Sequence, residues 1–223
     1  MSAARRTILH SIVLSICLGC GSAGAATASQ LADFFRAVQT DDAGTVSKMA
    51  GTVIAPDQIN PVGGEPALVL AAREGSMRVF QALLATPGIH VDATAMNGNT
   101  ALMMAAYKHN LPAVQALLDK GAAVNRPGWT PLHYAAAAGD DEITRLLLEH
   151  GARVDAVSPP ASGAYTPLMM AAREGHDRTA LLLIDHGADA KLSNSEGLTA
   201  TQLAQRAGKD HVAGVIAGRA AAH

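Results

Sequence analysis

Apolar and polar positions recur along this chain in one block that is written several times. Pro66-Ala67-Leu68-Val69-Leu70-Ala71-Ala72 is echoed by Thr100-Ala101-Leu102-Met103-Met104-Ala105-Ala106, by Thr130-Pro131-Leu132-His133-Tyr134-Ala135-Ala136 and by Thr166-Pro167-Leu168-Met169-Met170-Ala171-Ala172. Thr199-Ala200-Thr201-Gln202-Leu203-Ala204 is a looser copy. The copies start at 66, 100, 130, 166 and 199, so they lie 34, 30, 36 and 33 residues apart. A second apolar run follows in the first four, as Leu83-Leu84, Leu117-Leu118, Leu147-Leu148 and Leu182-Leu183. A period of this size marks small units that stack because none can bury its apolar face alone.

The block predicts two short helices per unit. The leading Thr suits an N-cap and the following Pro suits the first turn. Leu68, Leu102, Leu132 and Leu168 face the core shared with the next unit, and paired alanines such as Ala135-Ala136 let helices approach closely. Gly75, Gly139 and Gly175 stand where the chain turns between helices and positive φ is needed. His109 takes that place in one copy, with Asn110 behind it; left-handed geometry there costs about 1 kcal/mol or more. Gly88, Gly121, Gly151 and Gly187 read as C-caps of the second helices. An N-terminal copy survives as Leu31-Ala32-Asp33-Phe34-Phe35-Arg36-Ala37-Val38, with Val46 and Met49 behind it. Arg36 at one end, and Lys209, Asp210, His211 and Arg219 at the other, suit polar end units. Residues 219–223 are expected to fray.

The run Gly128-Trp129-Thr130-Pro131-Leu132-His133-Tyr134-Ala135-Ala136-Ala137-Ala138-Gly139, continued by Leu146-Leu147-Leu148-Glu149-His150-Gly151-Ala152, resembles the ankyrin repeat, whose signature is T-P-L-H-x-A. The resemblance implies an all-α solenoid of stacked helix-turn-helix units with β-hairpin fingers. It implies about six repeats over residues 29–220, counting degenerate caps, with 221–223 as a tail. It also implies that His133 bonds within its repeat, mainly to Thr130. Two fingers depart in length. Val124 to Trp129 is about three residues short and reads as a stub, while Val157 to Tyr165 is about three long and reads as a Pro-rich protrusion. Such changes cost little stability, so they are free to serve binding or to drift.

Residues 1–28 read as a secretory signal. Arg5 and Arg6 precede the apolar stretch Ile8 to Leu18, and Ala23-Gly24-Ala25 and Ala26-Thr27-Ala28 both fit the cleavage pattern. The stretch is short for a membrane span, and an uncleaved anchor is the weaker alternative. Ile16-Cys17-Leu18-Gly19-Cys20 partly matches a lipobox, which makes Cys20 a candidate lipidation site although Cys17 stands where Leu is expected. Cleavage after Ala25 or Ala28 removes both cysteines, leaving no disulfide, thiol nucleophile or thiolate ligand.

Aromatics are only 3% of the chain and alanine is its commonest residue, which argues against a β-sandwich or barrel. The formal charge is −2, and loss of Arg5 and Arg6 with the leader takes it to −4. With no long basic run, nucleic acid is not the expected partner. Nine histidines raise the question of a metal, yet there is no H-E-x-x-H, paired His or Cys cluster. His150 and His186 recur because the unit recurs, at helix ends where a cation suits the dipole. No G-x-S-x-G elbow or phosphate-binding glycine loop appears. Asp140-Asp141-Glu142 reads as dipole complement at a helix start, and Met103, Met104, Met169 and Met170 as packing. No cofactor is expected.

What remains is a surface. In the ankyrin family partners meet the fingertips and the exposed side of the first helices. Carried over by position, that face holds Arg73, Glu74, Met96, Asn97, Asn99, Tyr107, Lys108, Arg126, Trp129, Tyr165, Arg173, Glu174 and Leu198. Trp129 and Tyr165 follow finger turns and belong to residue types enriched in binding hot spots, or else pack on neighbouring fingers. The Arg-Glu pairs 73/74 and 173/174 read equally as ordinary solvated charge. The expectation is a monomeric, non-catalytic protein-binding module in the bacterial periplasm or secreted, and the resemblance adds a link to peroxide protection or delivery outside the cell. An outer-membrane lipoprotein scaffold and an enzyme with an unrecognised site are the alternatives.

Overall fold

The computed structural model of the chain describes residues 26–221. The expected leader up to residue 25, Cys20 within it, and residues 222–223 of the expected tail lie outside the described residues. Among the described residues twelve α-helices pair into six helix-turn-helix units: α1 (Ala28–Gln39) with α2 (Ala43–Met49), α3 (Ala67–Glu74) with α4 (Met77–Leu84), α5 (Ala101–Tyr107) with α6 (Leu111–Asp119), α7 (Pro131–Ala138) with α8 (Asp141–Glu149), α9 (Pro167–Glu174) with α10 (Asp177–Asp185), and α11 (Ala200–Arg206) with α12 (Asp210–Ala220). The first helices stack in one row from α1 to α11. The second helices lie behind them in another. No described helix is long and apolar enough to cross a membrane.

The local chemistry follows the repeated block. Thr100, Thr166 and Thr199 cap α5, α9 and α11, their hydroxyls accepting the backbone N–H three residues on. Thr27 caps α1 with Gln30 answering in a reciprocal box, so the first helix begins just inside the segment read as leader. Leu68, Leu102, Leu132 and Leu168 are buried between units. His109 does adopt the left-handed conformation, with φ of 56°. Its strain is offset by a 2.9 Å bond to Asp140 of the next unit, while Asn110 caps α6. At Gly139 the demand is double: φ is 74°, and a Cβ would overlap the ring of His176, whose Nε2 donates to the Ala137 carbonyl.

The fingers differ from the expected β-hairpins. Among the described residues they contain no strand, only isolated bridges such as Ile59 with Pro66 and Ser193 with Thr199. The finger at 95–99 is closed by Ala95 N–H to the Asn99 carbonyl, 2.9 Å, and the one at 194–198 by Asn194 N–H to the Leu198 carbonyl, 3.0 Å. The long finger does not stand free. Pro160–Ser162 folds into a 3₁₀ turn, Pro159 packs over Gly128 where the short finger falls back, and Ser195 N–H donates to the Gly163 carbonyl. The long finger thus touches the finger on either side of it, at Gly128 before it and Ser195 after it.

Neighbouring units are also joined by a ladder of acidic or amide side chains. Asp57 accepts from His90 N–H (3.0 Å), Asp92 from Ala123 N–H (2.9 Å), Asn125 from Arg153 N–H (2.8 Å) and Asp155 from Asp189 N–H (3.1 Å). Burial raises the Asp155 carboxyl above the usual range and the neighbouring Asp189 adds to it, against the pull of that N–H.

Candidate functional site

Aligning the repeated blocks puts Arg73, Tyr107, Ala137, Arg173 and Arg206 at one outward position of the first helices, and Glu74, Lys108, Ala138, Glu174 and Ala207 at the next. In α7 both are alanine. The missing bulk leaves a notch of about 350 Å³ over Ala137, walled by Tyr107 of α5 on one side and Arg173 and Glu174 of α9 on the other. Trp129 and Tyr134 form its back, and His133 and Met170 also line it.

The rings meet edge to face. Tyr107 and Tyr134 have centroids 6.2 Å apart at 89°, and Trp129 stands 6.3 Å from Tyr134 and 5.2 Å from the His133 ring. Such geometry is the favoured one for aromatic pairs and fixes the walls. The polar groups of Tyr134, His133 and the Arg173–Glu174 pair are occupied internally. The Tyr134 hydroxyl donates to Asn99 Oδ1 at 2.6 Å, and burial of that hydroxyl raises its pKa against this bond. His133 Nδ1 accepts from Thr130 N–H (3.2 Å) and lies 2.8 Å from its hydroxyl. Nε2 must then carry the proton, and it donates to the Tyr165 carbonyl of the next unit at 2.9 Å. Burial pulls His133 down to about 4, against the carbonyls of Tyr165 and Ala156, so the ring is neutral at pH 7. Its bond to Thr130 follows the family expectation; the second bond, which ties two repeats together, is additional. Arg173 donates Nε and Nη2 to one oxygen of Glu174, at 3.0 and 2.9 Å, and its guanidinium lies 5.2 Å from the Tyr165 ring centroid.

Four of the residues placed on the partner face, Tyr107, Trp129, Arg173 and Glu174, are thus brought together in the notch. Asn97, Asn99 and Arg126 line a second cleft at the fingertips, on the other side of Trp129, with Pro127 and Pro159. Lys108 is exposed beside Tyr107. Tyr165 is half-buried and backs Arg173 without lining the notch. Met96 is 87% exposed at another fingertip, over Gly64. Arg73 lies outside both cavities, ion-paired to the nearly buried Glu65 at 2.7 Å and to Glu74 at 2.9 Å. Tyr134 and Ala137 escaped the sequence reading. The signal for them is the run Ala135-Ala136-Ala137-Ala138, visible once outward positions are aligned as carefully as inward ones. Among the described residues no group of three His, Cys, Asp or Glu is placed to hold a metal ion.

A two-row helical solenoid with turn-like fingers and a lined face is an interaction scaffold by architecture. Family models of ankyrin repeats match residues 68–158 (three copies) and 157–204 (many copies), and the chain belongs to the ankyrin-repeat family. It is 36% identical to SH3 and multiple ankyrin repeat domains protein 1 of Mus musculus over 133 residues, 57% of this chain and 6% of that protein. It is 42% identical to 2-5A-dependent ribonuclease of Mus musculus over 71 residues, 30% of this chain and 10% of that one. It is 45% identical to RelA-associated inhibitor of Mus musculus over 64 residues, 27% and 8%. The chain therefore spans a tenth or less of these relatives. What it shares with them is the repeat, a protein-interaction module.

Proposed function

We propose that this chain is a monomeric, non-catalytic adaptor of the bacterial periplasm, which binds a protein partner through its first-helix face and fingertips. The observation that carries the reading is the notch of Tyr107, Trp129 and Tyr134 on the row of first helices. Aromatic side chains held rigid beside a cavity lose little entropy on binding and are the residue types that dominate interfaces. Export rests on the leader pattern at Arg5 to Ala25, and the proposed link to peroxide protection rests on the family resemblance alone.

The test is affinity capture from a periplasmic extract, with the wild-type protein and a Tyr107→Ala, Trp129→Ala double variant as baits. A partner held by the first and lost from the second supports the reading. Equal capture by both moves the site off this face, and capture by neither counts against an adaptor. Cys17-Leu18-Gly19-Cys20 favours a second reading, a lipid-anchored scaffold at the outer membrane. Incorporation of labelled palmitate that Cys20→Ala abolishes would establish it, and absence of label would dismiss it.

A further inference from the structure

The notch and its surroundings say what kind of partner segment fits, given the adaptor reading above. Most of the polar groups inside are already committed: Tyr134 to Asn99, His133 to Thr130 and Tyr165, Arg173 to Glu174. A polar side chain entering the notch would find only the Tyr107 hydroxyl and the Trp129 indole N–H to bond, whereas an apolar one would cover three rings, Ala137 and Met170. The volume of about 350 Å³ admits one large side chain.

Charge fixes the rest. The carboxylates flanking the first-helix row are ion-paired within the chain: Glu65 and Glu74 with Arg73, Glu174 with Arg173, and Glu196 with Arg206. Two cations on the same face, Lys108 beside Tyr107 and Arg126 across Trp129, have no ion pair among the described residues. His133 adds no charge, being neutral. A chain that is acidic as a whole thus presents unpaired positive charge on both sides of its aromatic notch. A basic segment would be repelled there and an acidic one held.

We infer that the notch takes a single aromatic or large aliphatic anchor from an acidic segment of the partner, whose carboxylates meet Lys108 and Arg126. Ala137 is the specificity-determining residue, because the equivalent position carries a large side chain in the other aligned repeats, Arg73, Tyr107, Arg173 and Arg206.

The probe is acetyl-Glu-Glu-Phe-Glu-Glu-amide, titrated into the purified full chain while the emission of Trp129, the single tryptophan, is followed and the heat of binding is measured. A saturable response is expected, at least tenfold weaker when Ala replaces the Phe of the peptide and when Lys replaces its Glu residues. Ala137→Arg should abolish the response while its circular dichroism stays that of the wild type. A Lys108→Glu, Arg126→Glu double variant should favour the Lys peptide instead. No response to any peptide, an equal response to the basic one, or binding that survives Ala137→Arg would overturn the inference. The adaptor reading is decided separately by capture of a whole partner, so either can fail while the other stands.

Discussion

The helices α7 and α9 have the same length, the same Thr-Pro start and a left-handed terminal glycine, yet they do different things. Both bury their leucine, Leu132 and Leu168, and both turn the same alanine pair toward the stack. Outward, one carries Ala137 and Ala138 and the other Arg173 and Glu174. Inward, one places His133 where the other has Met169. The ring reaches across to the Tyr165 carbonyl, so the α7–α9 junction has a polar tie, while Met169 packs in the corresponding place. The stack dictates the inward residues and is indifferent to the outward ones. Fold and candidate site therefore sit on opposite sides of one eight-residue helix.

The largest effects should come from the shared inward positions. Leu132→Ala and Leu168→Ala each empty a fully packed site and should lower stability by about 2–5 kcal/mol in denaturant melts. A loss under half a kcal/mol at either would mean that its helix is misplaced in the stack. The next effect separates the two helices. In the folded chain His133 titrates near 4 where the unfolded ring titrates near 6.5, so the unfolded chain takes up the proton more readily. The stabilisation from keeping the ring neutral is complete above pH 6.5 and is lost as the pH falls through 4, about 3 kcal/mol at most. The slope of stability over that window should flatten in His133→Asn; an unchanged slope would show that the ring is hydrated. A smaller contrast distinguishes two turns. Gly139→Ala must bear positive φ and displace His176, losing its bond to Ala137, and should cost about 2–3 kcal/mol. Gly75→Ala meets nothing within 4 Å and should cost only the strain, about 1–2 kcal/mol. Equal losses would mean that His176 contributes nothing at that junction.

Much of this was legible in the sequence because it is local. The Thr caps and the left-handed turn at His109 depend on neighbours within a few residues, and the buried leucines recur at one place in four of the blocks. The bonds of His150 and His186 to the carbonyls of Leu146 and Leu182 follow from their place at helix ends. The acidic run does stand at the start of α8, where Asp140 caps the helix, though Asp141 also takes a bond from Thr179 one unit away. What was not legible crosses between units. The ladder through Asp57, Asp92, Asn125 and Asp155 pairs residues roughly a period apart, and its geometry exists only after docking. The fingers were expected as hairpins, but a turn of this length closes one pair of backbone groups before the next helix begins. From sequence Tyr165 can face a partner or pack on a finger, and its position beneath Arg173 depends on how one finger lies against its own helix. The notch had a sequence signature in its alanines, hidden because alanine there looks like core.

The last contrast should be nearly invisible to stability. Replacing Ala137 and Ala138 of α7 with the Arg and Glu found in α9 swaps the outward faces and leaves the inward ones alone. Both new residues are good helix formers, and the positions are half-buried at the mouth of the notch, so the change in unfolding free energy should stay within about half a kcal/mol. An added surface ion pair of this kind contributes little. If the double variant keeps wild-type stability but no longer captures a partner, the alanines of α7 are there to leave space. If it unfolds, the notch is part of the packing after all, and the division of this helix into an inward face for the stack and an outward face for the partner would be wrong.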